Sequence, residues 1–346
     1  MEAKTEINEE SSELFEHHRI VVDPGQEPLR IDKFLFNRIE NVSRNKVQQA
    51  ARAGNVLVNE KAVKPNYNIR PNDVISVVMT YPPRETEIFP ENIPLEIVYE
   101  DEDVIVINKQ AGLVVHPGHA NYTGTMLNAL MYYFQESKAK VENGFGYLVH
   151  RIDKDTSGLI LVAKNEDAQT KLAKQFFDHS VERTYRALVW GEPAEESGTI
   201  RGHIGRSLKD RRVMTVFPDG EYGKEAVTHY KILQKFGYVT LIECQLETGR
   251  THQIRAHFKF IGHPLFNDER YGGNQILKGT TFTKYKQFVQ NCFKLLPRQA
   301  LHARTLGFIH PATRKKMAFT SGYPSDMEQV LDKWEKYTYQ REFESE

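Results

Sequence analysis

The sequence has few cysteines and no long apolar segment. Cys244 and Cys292 are its 2 cysteines, and they lie far apart. Two separated thiols supply neither a disulfide framework nor a set of zinc ligands, which indicates a reducing, intracellular compartment. Apolar runs such as GLILVA have the length of a strand and fall short of the roughly 18 residues that a membrane helix needs. The N-terminus is acidic and lacks the basic-then-apolar order of a signal peptide, so we expect a cytoplasmic protein with no membrane partner.

The sequence also lacks a net charge, since 46 Lys and Arg balance 46 Asp and Glu. This neutrality arises at the two ends. Residues 1–18 carry six Glu and one Lys, and residues 339–346 carry three Glu and one Arg. The remaining body has 44 basic and 37 acidic residues, a net charge of +7. We therefore expect acidic, disordered ends on a basic body, and the overall neutrality does not exclude a nucleic-acid partner.

The order of predicted elements indicates two domains of different size, as the length suggests. Residues 19–80 form a small α/β unit with two helices and a short hairpin around Asn59-Glu60. Residues 81–94 contain four prolines and are typical of a linker. Residues 95–338 contain many strands with few helices between them, which predicts an α+β domain with a mainly antiparallel or mixed sheet flanked by helices.

The second helix of the small unit carries positive charge at its start. Ser43 is a good N-cap, and Arg44 and Lys46 follow in the first turn. This sign is unfavourable for the helix dipole, by about 0.3–1 kcal/mol for each exposed residue. It becomes favourable if the helix N-terminus meets a phosphate, while an ordinary solvated helix face is an equally open interpretation.

Three segments of the large domain combine acidic, basic and aromatic side chains. Asp153 lies in a polar loop just before an apolar strand, where a carboxylate can face a ligand from a rigid support. Asp155 in the same loop is an equally good turn residue. Arg255, in GRTHQIRAH, is suited to hold such a carboxylate ionised, although a structural ion pair is the alternative. Tyr185 lies in an alternating strand and is either a half-buried sheet residue or a stacking surface for a base.

No metal site is expected in these segments. His252 and His257 are five residues apart, a poor spacing for two ligands on one face of a predicted helix over 250–262. No cysteine pair or HExxH motif accompanies them.

The same segments resemble a known family. HRIDKDTSG is similar to the H-R-L-D-x-x-T-S-G signature of pseudouridine synthases of the large-subunit ribosomal RNA type. RTYRALV is similar to the family's tyrosine strand, and GRTHQIRAH to its third motif. INKQAGLVVHPG resembles the opening K-P-x-G segment, with Gln110 in place of proline. The sequence of the small unit resembles the S4 RNA-binding domain, with Glu60 where a turn glycine is usual, and the whole resemblance covers about 19–325.

The resemblance implies an isomerase that converts uridine in RNA, above all in large-subunit ribosomal RNA, to pseudouridine. The N1–C1′ bond breaks, the uracil turns, and C5 bonds to C1′. Asp153 would be the catalytic carboxylate, and it would either attack C1′ or remove a proton from C2′. Arg255 would pair with Asp153, and Tyr185 would stack on the uracil and assist proton transfer.

Further residues follow from the same resemblance. Arg151 would occupy the space that the target base leaves, while His150 and Arg250 would organise the loop and bind phosphate. The cleft would also be lined by Thr156, Ile254, Leu148 and Leu159. In the S4-like unit, the expected RNA contacts are Arg44, Lys46, Arg52, Lys61 and Lys64.

The resemblance implies RNA as the partner and no cofactor, metal or bound nucleotide. We expect a monomer, since a single RNA target supplies no reason for symmetry. Two alternatives remain within RNA biology: a non-catalytic, S4-containing ribosome-assembly factor and a tRNA-directed pseudouridine synthase. A glycoside hydrolase would need two carboxylates across the bond, and the matching motifs contain no second acid.

Overall fold

The computed structural model describes residues 15–39, 42–79, 88–118, 121–141, 143–210 and 212–343. The chain divides into two compact units, residues 1–87 and residues 88–346. Half of the predicted linker 81–94, namely residues 81–87, lies outside the described residues. Among the residues that are described, no helix is long and apolar enough to cross a membrane.

The small unit is a four-stranded antiparallel sheet with two helices. Its strands pair in the order β1-β4-β2-β3. The elements are β1 (Phe15–Val21), α1 (Ile31–Arg38), α2 (Arg44–Arg52), β2 (Val56–Val58), β3 (Lys61–Ala62) and β4 (Val74–Met79). The Ser43 hydroxyl accepts a hydrogen bond from the Lys46 N–H at 3.3 Å, so the predicted N-cap is confirmed. Apolar side chains of both helices, such as Leu35 and Val47, pack on Ile75 of the sheet.

The hairpin between β2 and β3 keeps its two-residue turn despite the unusual residue in it. Asn59 (φ +48°) and Glu60 (φ +67°) both adopt left-handed conformations, as a type I′ turn requires. Asn59 suits this position, and its side chain also bonds to Asp73 and to the Val74 N–H, both at 2.9 Å. The Glu60 side chain makes no hydrogen bond among the described residues. Its left-handed conformation therefore costs about 1 kcal/mol or more without compensation.

Two expected boundaries differ from the structure at the acidic ends. Strand β1 begins at Phe15, so the last part of the expected tail 1–18 pairs with β4. At the other end, helix α7 (Ser325–Phe343) continues past the expected boundary at 338. The charge count alone therefore does not mark where these two elements begin and end.

The large unit is built on a mixed sheet of eleven strands, which confirms the expected α+β class. Its main path runs in the order β11-β10-β12-β13-β9-β14-β8-β6-β5, with β15 beside β14 and β7 beside β8. The strands are β5 (Glu96–Glu100), β6 (Val104–Lys109), β7 (Tyr147–Leu148), β8 (Ser157–Ala163), β9 (Glu182–Trp190), β10 (Ser197–Arg206), β11 (Met214–Phe217), β12 (Lys224–Lys235), β13 (Val239–Leu246), β14 (Leu301–Ile309) and β15 (Lys316–Thr320). The other helices are α3 (Met126–Ser137), α4 (Glu166–Phe177), α5 (Gln253–Phe260) and α6 (Thr283–Leu295). Among the described strands, β8 and β14 form the parallel pair, and the other pairs are antiparallel.

Helices cover both faces of the central strands. In the sequence of β13, Val239 and Leu241 alternate with Thr240 and Glu243, which predicts a strand with one buried face. This prediction is wrong, because residues on both faces of the strand are buried. Val239 and Leu241 pack in one core with α6 and α7, while Ile242 packs on the opposite face in a core with α3 and α5. Thr240 is fully buried, and its hydroxyl donates to the Gly191 carbonyl at 2.7 Å. Because helices cover both faces of the sheet, side chains that can contact a ligand lie at the ends of the strands and in the loops.

Candidate active site

Asp153 lies in the tight loop between β7 and β8. The Asp153 carbonyl accepts a hydrogen bond from the Thr156 N–H at 3.1 Å, and 20% of the Asp153 side chain is exposed to the cleft. The loop ends at Gly158 (φ +112°), where a Cβ would lie 2.2 Å from the Ala303 carbonyl oxygen of β14. Only glycine allows this approach, so the pairing of β8 with β14 fixes one end of the loop.

Two buried basic side chains, Lys109 and Arg298, bind the backbone of this loop. The Lys109 ammonium donates to three backbone carbonyls, including that of Lys154 at 2.9 Å. Burial lowers the pKa of Lys109 to about 7. The Arg298 guanidinium donates to the Asp155 carbonyl at 3.0 Å and forms a two-pronged pair with Asp326 at the start of α7. These contacts fix the position of the loop on the sheet.

Arg255 joins Asp153 to a second, fully buried carboxylate. Its Nη1 donates to Asp153 Oδ2 at 3.1 Å, while Nε and Nη2 donate to the two oxygens of Asp268 at 2.7 and 2.9 Å. The guanidinium also lies over the Tyr271 ring, 4.9 Å from its centroid. Burial alone would lower the pKa of Arg255, but the bonds to Asp268 and Asp153 outweigh it and raise that pKa. Arg255 is therefore a fixed positive charge aimed at Asp153.

Helix α5, which carries Arg255, begins later than the sequence predicts. It starts at Gln253, and His252 is its N-cap in a left-handed conformation (φ +53°). His252 Nε2 lies 3.9 Å from Asp153 Oδ2. His252 and Arg255 therefore both lie beside the same carboxylate oxygen, and His252 approaches it from outside the helix.

Aromatic side chains line the same cavity as Asp153. Tyr185 of β9 is 6% exposed, and burial raises the pKa of its hydroxyl. Beside it, the Arg183 guanidinium lies over the Phe176 ring at 5.2 Å, and the His150 ring stacks on the same phenyl group at 4.6 Å. His150 Nε2 accepts from the Leu161 N–H at 2.9 Å, and burial near Arg183 lowers the pKa of His150 to about 3. A neutral, anchored His150 can organise the loop but brings no charge for a phosphate.

The structure places the eight residues predicted to be catalytic or substrate-binding around one cavity of about 510 Å³. These are Asp153, Tyr185, Arg255, Arg151, His150, Arg250, Thr156 and Ile254. Leu148 and Leu159 do not line it, because both pack into the apolar cores on the two faces of the sheet. The lining contains four arginines and one carboxylate, a balance that attracts a phosphate backbone.

The cleft arginines differ in what they already contact. Arg151 is exposed and makes no hydrogen bond or ion pair within the described part of the chain. Arg250 uses its Nε to donate to the Glu225 carbonyl at 2.9 Å, which leaves its terminal nitrogens for other partners. Arg151 is therefore the more adaptable group, and Arg250 the more fixed one.

Four supporting residues were missed by reasoning from sequence: Lys109, Arg183, Asp268 and Arg298. Arg183 stands in the segment RTYRALV, where two residues of separation from Tyr185 place it on the same side of the strand, so that signal was available. The others reach the site through tertiary contacts, and their spacing along the chain carries no sign of this.

In the small unit, the predicted RNA contacts fall into different groups. Arg44 is half-exposed, but its Nε and Nη2 bind the fully buried Asp32 at 3.1 and 2.9 Å. This contact explains the unfavourable charge at the start of α2 without any phosphate. Arg52 and Lys64 are exposed and line one shallow depression together with Arg30.

The remaining two predicted contacts lie outside that depression. Lys61 and Lys46 are exposed, and Lys46 borders a separate, more apolar groove on the other side of α2.

One group of side chains in the large unit resembles a metal site in its composition. Asp101, Asp103 and His310 bring ligand atoms within 4.8 Å of one another. His310 Nδ1 accepts from the Ala312 and Thr313 N–H groups, so its proton lies on Nε2, which donates to Asp101 at 2.8 Å. This tautomer leaves the imidazole without a lone pair for an ion. The group is therefore a hydrogen-bonded turn between strands, apart from the cleft.

Each of the two units contains a segment that matches a known family model. Residues 103–260 match the RNA pseudouridylate synthase family model, and residues 29–75 match the S4 domain model. A relative from Chlorobaculum parvum, named an uncharacterized RNA pseudouridine synthase, is 47% identical over 318 residues, which cover 90% of this chain and 96% of the relative. The chain therefore belongs to the RNA pseudouridine synthases, which are isomerases acting on RNA.

Other relatives carry more specific names or solved structures. A Zymomonas mobilis protein named ribosomal large subunit pseudouridine synthase D is 41% identical, over 86% of this chain and 92% of that protein. The structure of human RNA pseudouridylate synthase domain containing 4 superposes with a TM-score of 0.53 at 24% identity, covering 69% of this chain and 93% of that one. The structural likeness supports the fold of the large unit.

Proposed function

We propose that this enzyme isomerises one or more uridines of large-subunit ribosomal RNA, with Asp153 as the catalytic carboxylate. The observation that carries the assignment of the site is the hydrogen-bonded series Asp153–Arg255–Asp268, which orients one partly exposed carboxylate in an arginine-lined cleft. The name of the Zymomonas relative supports ribosomal RNA as the substrate. We also propose a monomer in the cytoplasm, where ribosomal RNA is modified.

The proposed reaction begins when the target uridine leaves its stack, at a cost of a few kcal/mol (about 2–4). Arg151, which is exposed and unpaired among the described residues, would take the vacated place in the RNA. The uracil would lie against Tyr185. Asp153 would act at the sugar, either by forming a bond to C1′ or by taking a proton from C2′.

Arg255 and Tyr185 complete the proposed mechanism. Arg255 orients Asp153 through a hydrogen bond, and the position of Arg255 is itself fixed by Asp268. After the base turns, C5 bonds to C1′ and loses its proton, and Tyr185 would help to carry that proton away. Atoms and electrons balance within the nucleoside, so the proposed step needs no co-reactant.

The assignment of Asp153 is tested by Asp153→Asn and Asp153→Ala in the purified full chain, assayed for pseudouridine in an unmodified large-subunit RNA transcript. We expect turnover to disappear in both variants. Asp155→Asn is the matched control, since it removes a carboxylate from the same loop and should leave turnover near the wild-type rate. Turnover that survives in Asp153→Ala, or is lost only in Asp155→Asn, contradicts the assignment.

The substrate is tested by mapping pseudouridine across total RNA from cells with and without the protein. We expect sites in the large-subunit RNA to disappear with the protein. Loss confined to tRNA would replace this proposal with a tRNA-directed enzyme. A protein that binds ribosomal RNA but changes no site would favour the assembly-factor alternative.

A further inference from the structure

His252 is held in an unusual conformation beside the catalytic carboxylate. Its φ of +53° and ψ of +24° lie in the left-handed region, which costs a residue with a Cβ about 1 kcal/mol or more. Its side chain is 12% exposed and lines the same cavity as Asp153. This strained backbone directs the imidazole toward the reacting end of the cleft.

Two hydrogen bonds behind the ring determine which nitrogen carries the proton. The Tyr271 oxygen accepts from the Met214 N–H at 3.0 Å, and the same oxygen lies 3.0 Å from His252 Nδ1. Tyr271 is 3% exposed, so its hydroxyl hydrogen needs an acceptor, and Nδ1 is placed to accept it. The neutral imidazole then carries its proton on Nε2.

The proton on Nε2 lies on the side of the ring that faces Asp153 in the cavity. Nε2 lies 3.9 Å from Asp153 Oδ2, which is beyond the length of a direct hydrogen bond. Burial lowers the pKa of His252, although Asp153 partly opposes this, so the ring is neutral at pH 7. The result is a preoriented N–H donor beside Asp153 that has no acceptor of its own on Nε2 within the described residues.

We propose that the His252 Nε2–H donates a hydrogen bond to a carbonyl oxygen of the uracil while the glycosidic bond is broken. This proposal rests on the proposed function above. When the N1–C1′ bond breaks, its electron pair stays with the uracil, and the negative charge is shared with the carbonyl oxygens. Arg255 is already bound to two carboxylates, so a separate donor is needed for this charge.

The proton balance of the step is simple. His252 keeps its proton throughout and acts only as a donor, as do the groups of an oxyanion hole. C5 loses one proton and N1 gains one when the base is reattached. Tyr271 is a positioning residue, because it acts by fixing the tautomer of His252.

The proposal is tested by His252→Asn in the full chain, on the large-subunit RNA transcript that the wild type modifies. Asparagine tolerates the left-handed backbone but is too short to reach the uracil, so folding should be retained. We expect the single-turnover rate to fall about 10²–10³-fold, the loss typical of one such donor, with RNA affinity and thermal midpoint unchanged. Lys138→Asn is the control for the backbone change, since Lys138 is an exposed left-handed residue (φ +55°) at the end of α3 and outside the cavity, and we expect it to leave the rate unchanged.

A second variant and a second substrate separate the possible roles. Tyr271→Phe keeps the ring against Arg255 but removes the hydroxyl, so we expect a smaller loss of rate of about tenfold. With 5-fluorouridine at the target, the base is a better leaving group, and the deficit of His252→Asn in bond cleavage should shrink. An unchanged deficit would place the donor on the ribose and overturn the proposal.

Two further results distinguish this inference from the proposed function. A rate within about threefold of wild type for His252→Asn, or a loss of affinity equal to the loss of rate, overturns the role of His252 alone. A wild-type enzyme that modifies no RNA overturns the proposed function and this inference together.

Discussion

The carboxylates of Asp32 in the small unit and Asp153 in the large unit both bind arginine, but with opposite ratios of acid to base. Asp32 is fully buried and accepts from two arginines, Arg30 at 3.0 Å and Arg44 at 2.9 Å, and from Gln48 at 2.6 Å. Asp153 accepts one bond from Arg255, which gives its other donors to Asp268. One unit therefore provides two cations for one acid, and the other provides two acids for one cation.

This difference separates a structural carboxylate, Asp32, from Asp153, the carboxylate that we propose to be catalytic. Burial alone would raise the pKa of Asp32, but the bonds from Arg30, Gln48 and Arg44 outweigh it and hold that pKa far below its usual range. Such a group has no capacity left for a ligand. Asp153 keeps one oxygen without a bond among the described residues and remains partly exposed, so it can react.

The largest expected effect comes from removing the cation that two acids share. Arg255→Gln leaves Asp268 buried with no cationic partner, and we expect a loss of about 3–5 kcal/mol in the free energy of unfolding of the large unit. Turnover should vanish as well, because Asp153 loses its orientation. Urea unfolding and pseudouridine formation measure the two effects, and a stable, active Arg255→Gln would show that Asp268 is not an obligate partner.

The counterpart in the small unit is Asp32→Asn. Two arginines then face a neutral amide, and we expect the free energy of unfolding of the small unit to fall by about 3 kcal/mol. Because the pKa of Asp32 is lower in the folded than in the unfolded state, its contribution is full above about pH 5 and is lost as the pH falls below about 4. The difference between Asp32→Asn and wild type should therefore shrink at pH 3.5 compared with pH 6. A difference that does not change with pH would contradict the ionised state of Asp32.

Tyr185→Phe tests the role of the Tyr185 hydroxyl in the cavity that contains Asp153. The ring still stacks on a base, so RNA affinity should be kept, while removal of the hydroxyl should lower turnover by about 10–100-fold. Filter binding and single-turnover kinetics separate the two quantities. Unchanged turnover would remove the role of Tyr185 in proton transfer and leave the stacking role.

Arg30→Gln sharpens the comparison of ratios. Asp32 keeps Arg44 and Gln48, so we expect a loss of only about 1 kcal/mol in the small unit, far less than for Arg255→Gln in the large one. Equal losses in the two variants would mean that the ratio of acids to cations does not decide the outcome.

The smallest expected effect is a gain in stability from Glu60→Gly. Glycine adopts φ of +67° without strain, so we expect about 0.5–1 kcal/mol of added stability in the small unit. The unfolding of the large unit should not move, which would identify the transition that belongs to each unit. A shift of both transitions together would show that they unfold as one.

The elements of this protein were predictable where their signals are local. Three such predictions are confirmed: the Ser43 cap, the Asn59-Glu60 turn and strand β8. Each depends on neighbours within a few residues. The motif residues Asp153, Tyr185 and Arg255 were found because each lies in a recognisable string.

Contacts between distant segments were not predictable in the same way. Asp268 and Arg298 reach the site through packing of loops and helices that no periodicity describes. Arg44 was assigned to a phosphate because its partner, Asp32, lies on a different helix. The one-sided burial predicted for β13 failed for a similar reason, since the second covering layer comes from helices much later in the chain.

The glycine contact that ends the loop of Asp153 has a consequence for the order of folding. Ser157 Oγ lies 3.0 Å from His302 Nδ1, a partner 145 residues later in the chain. Gly158 pairs beside it with Ala303. Contacts between such distant segments form late, and during synthesis the loop cannot be held until β14 has left the ribosome. The site that we propose to modify ribosomal RNA thus becomes rigid only after β14, a strand that follows the loop by more than 140 residues, has been synthesised.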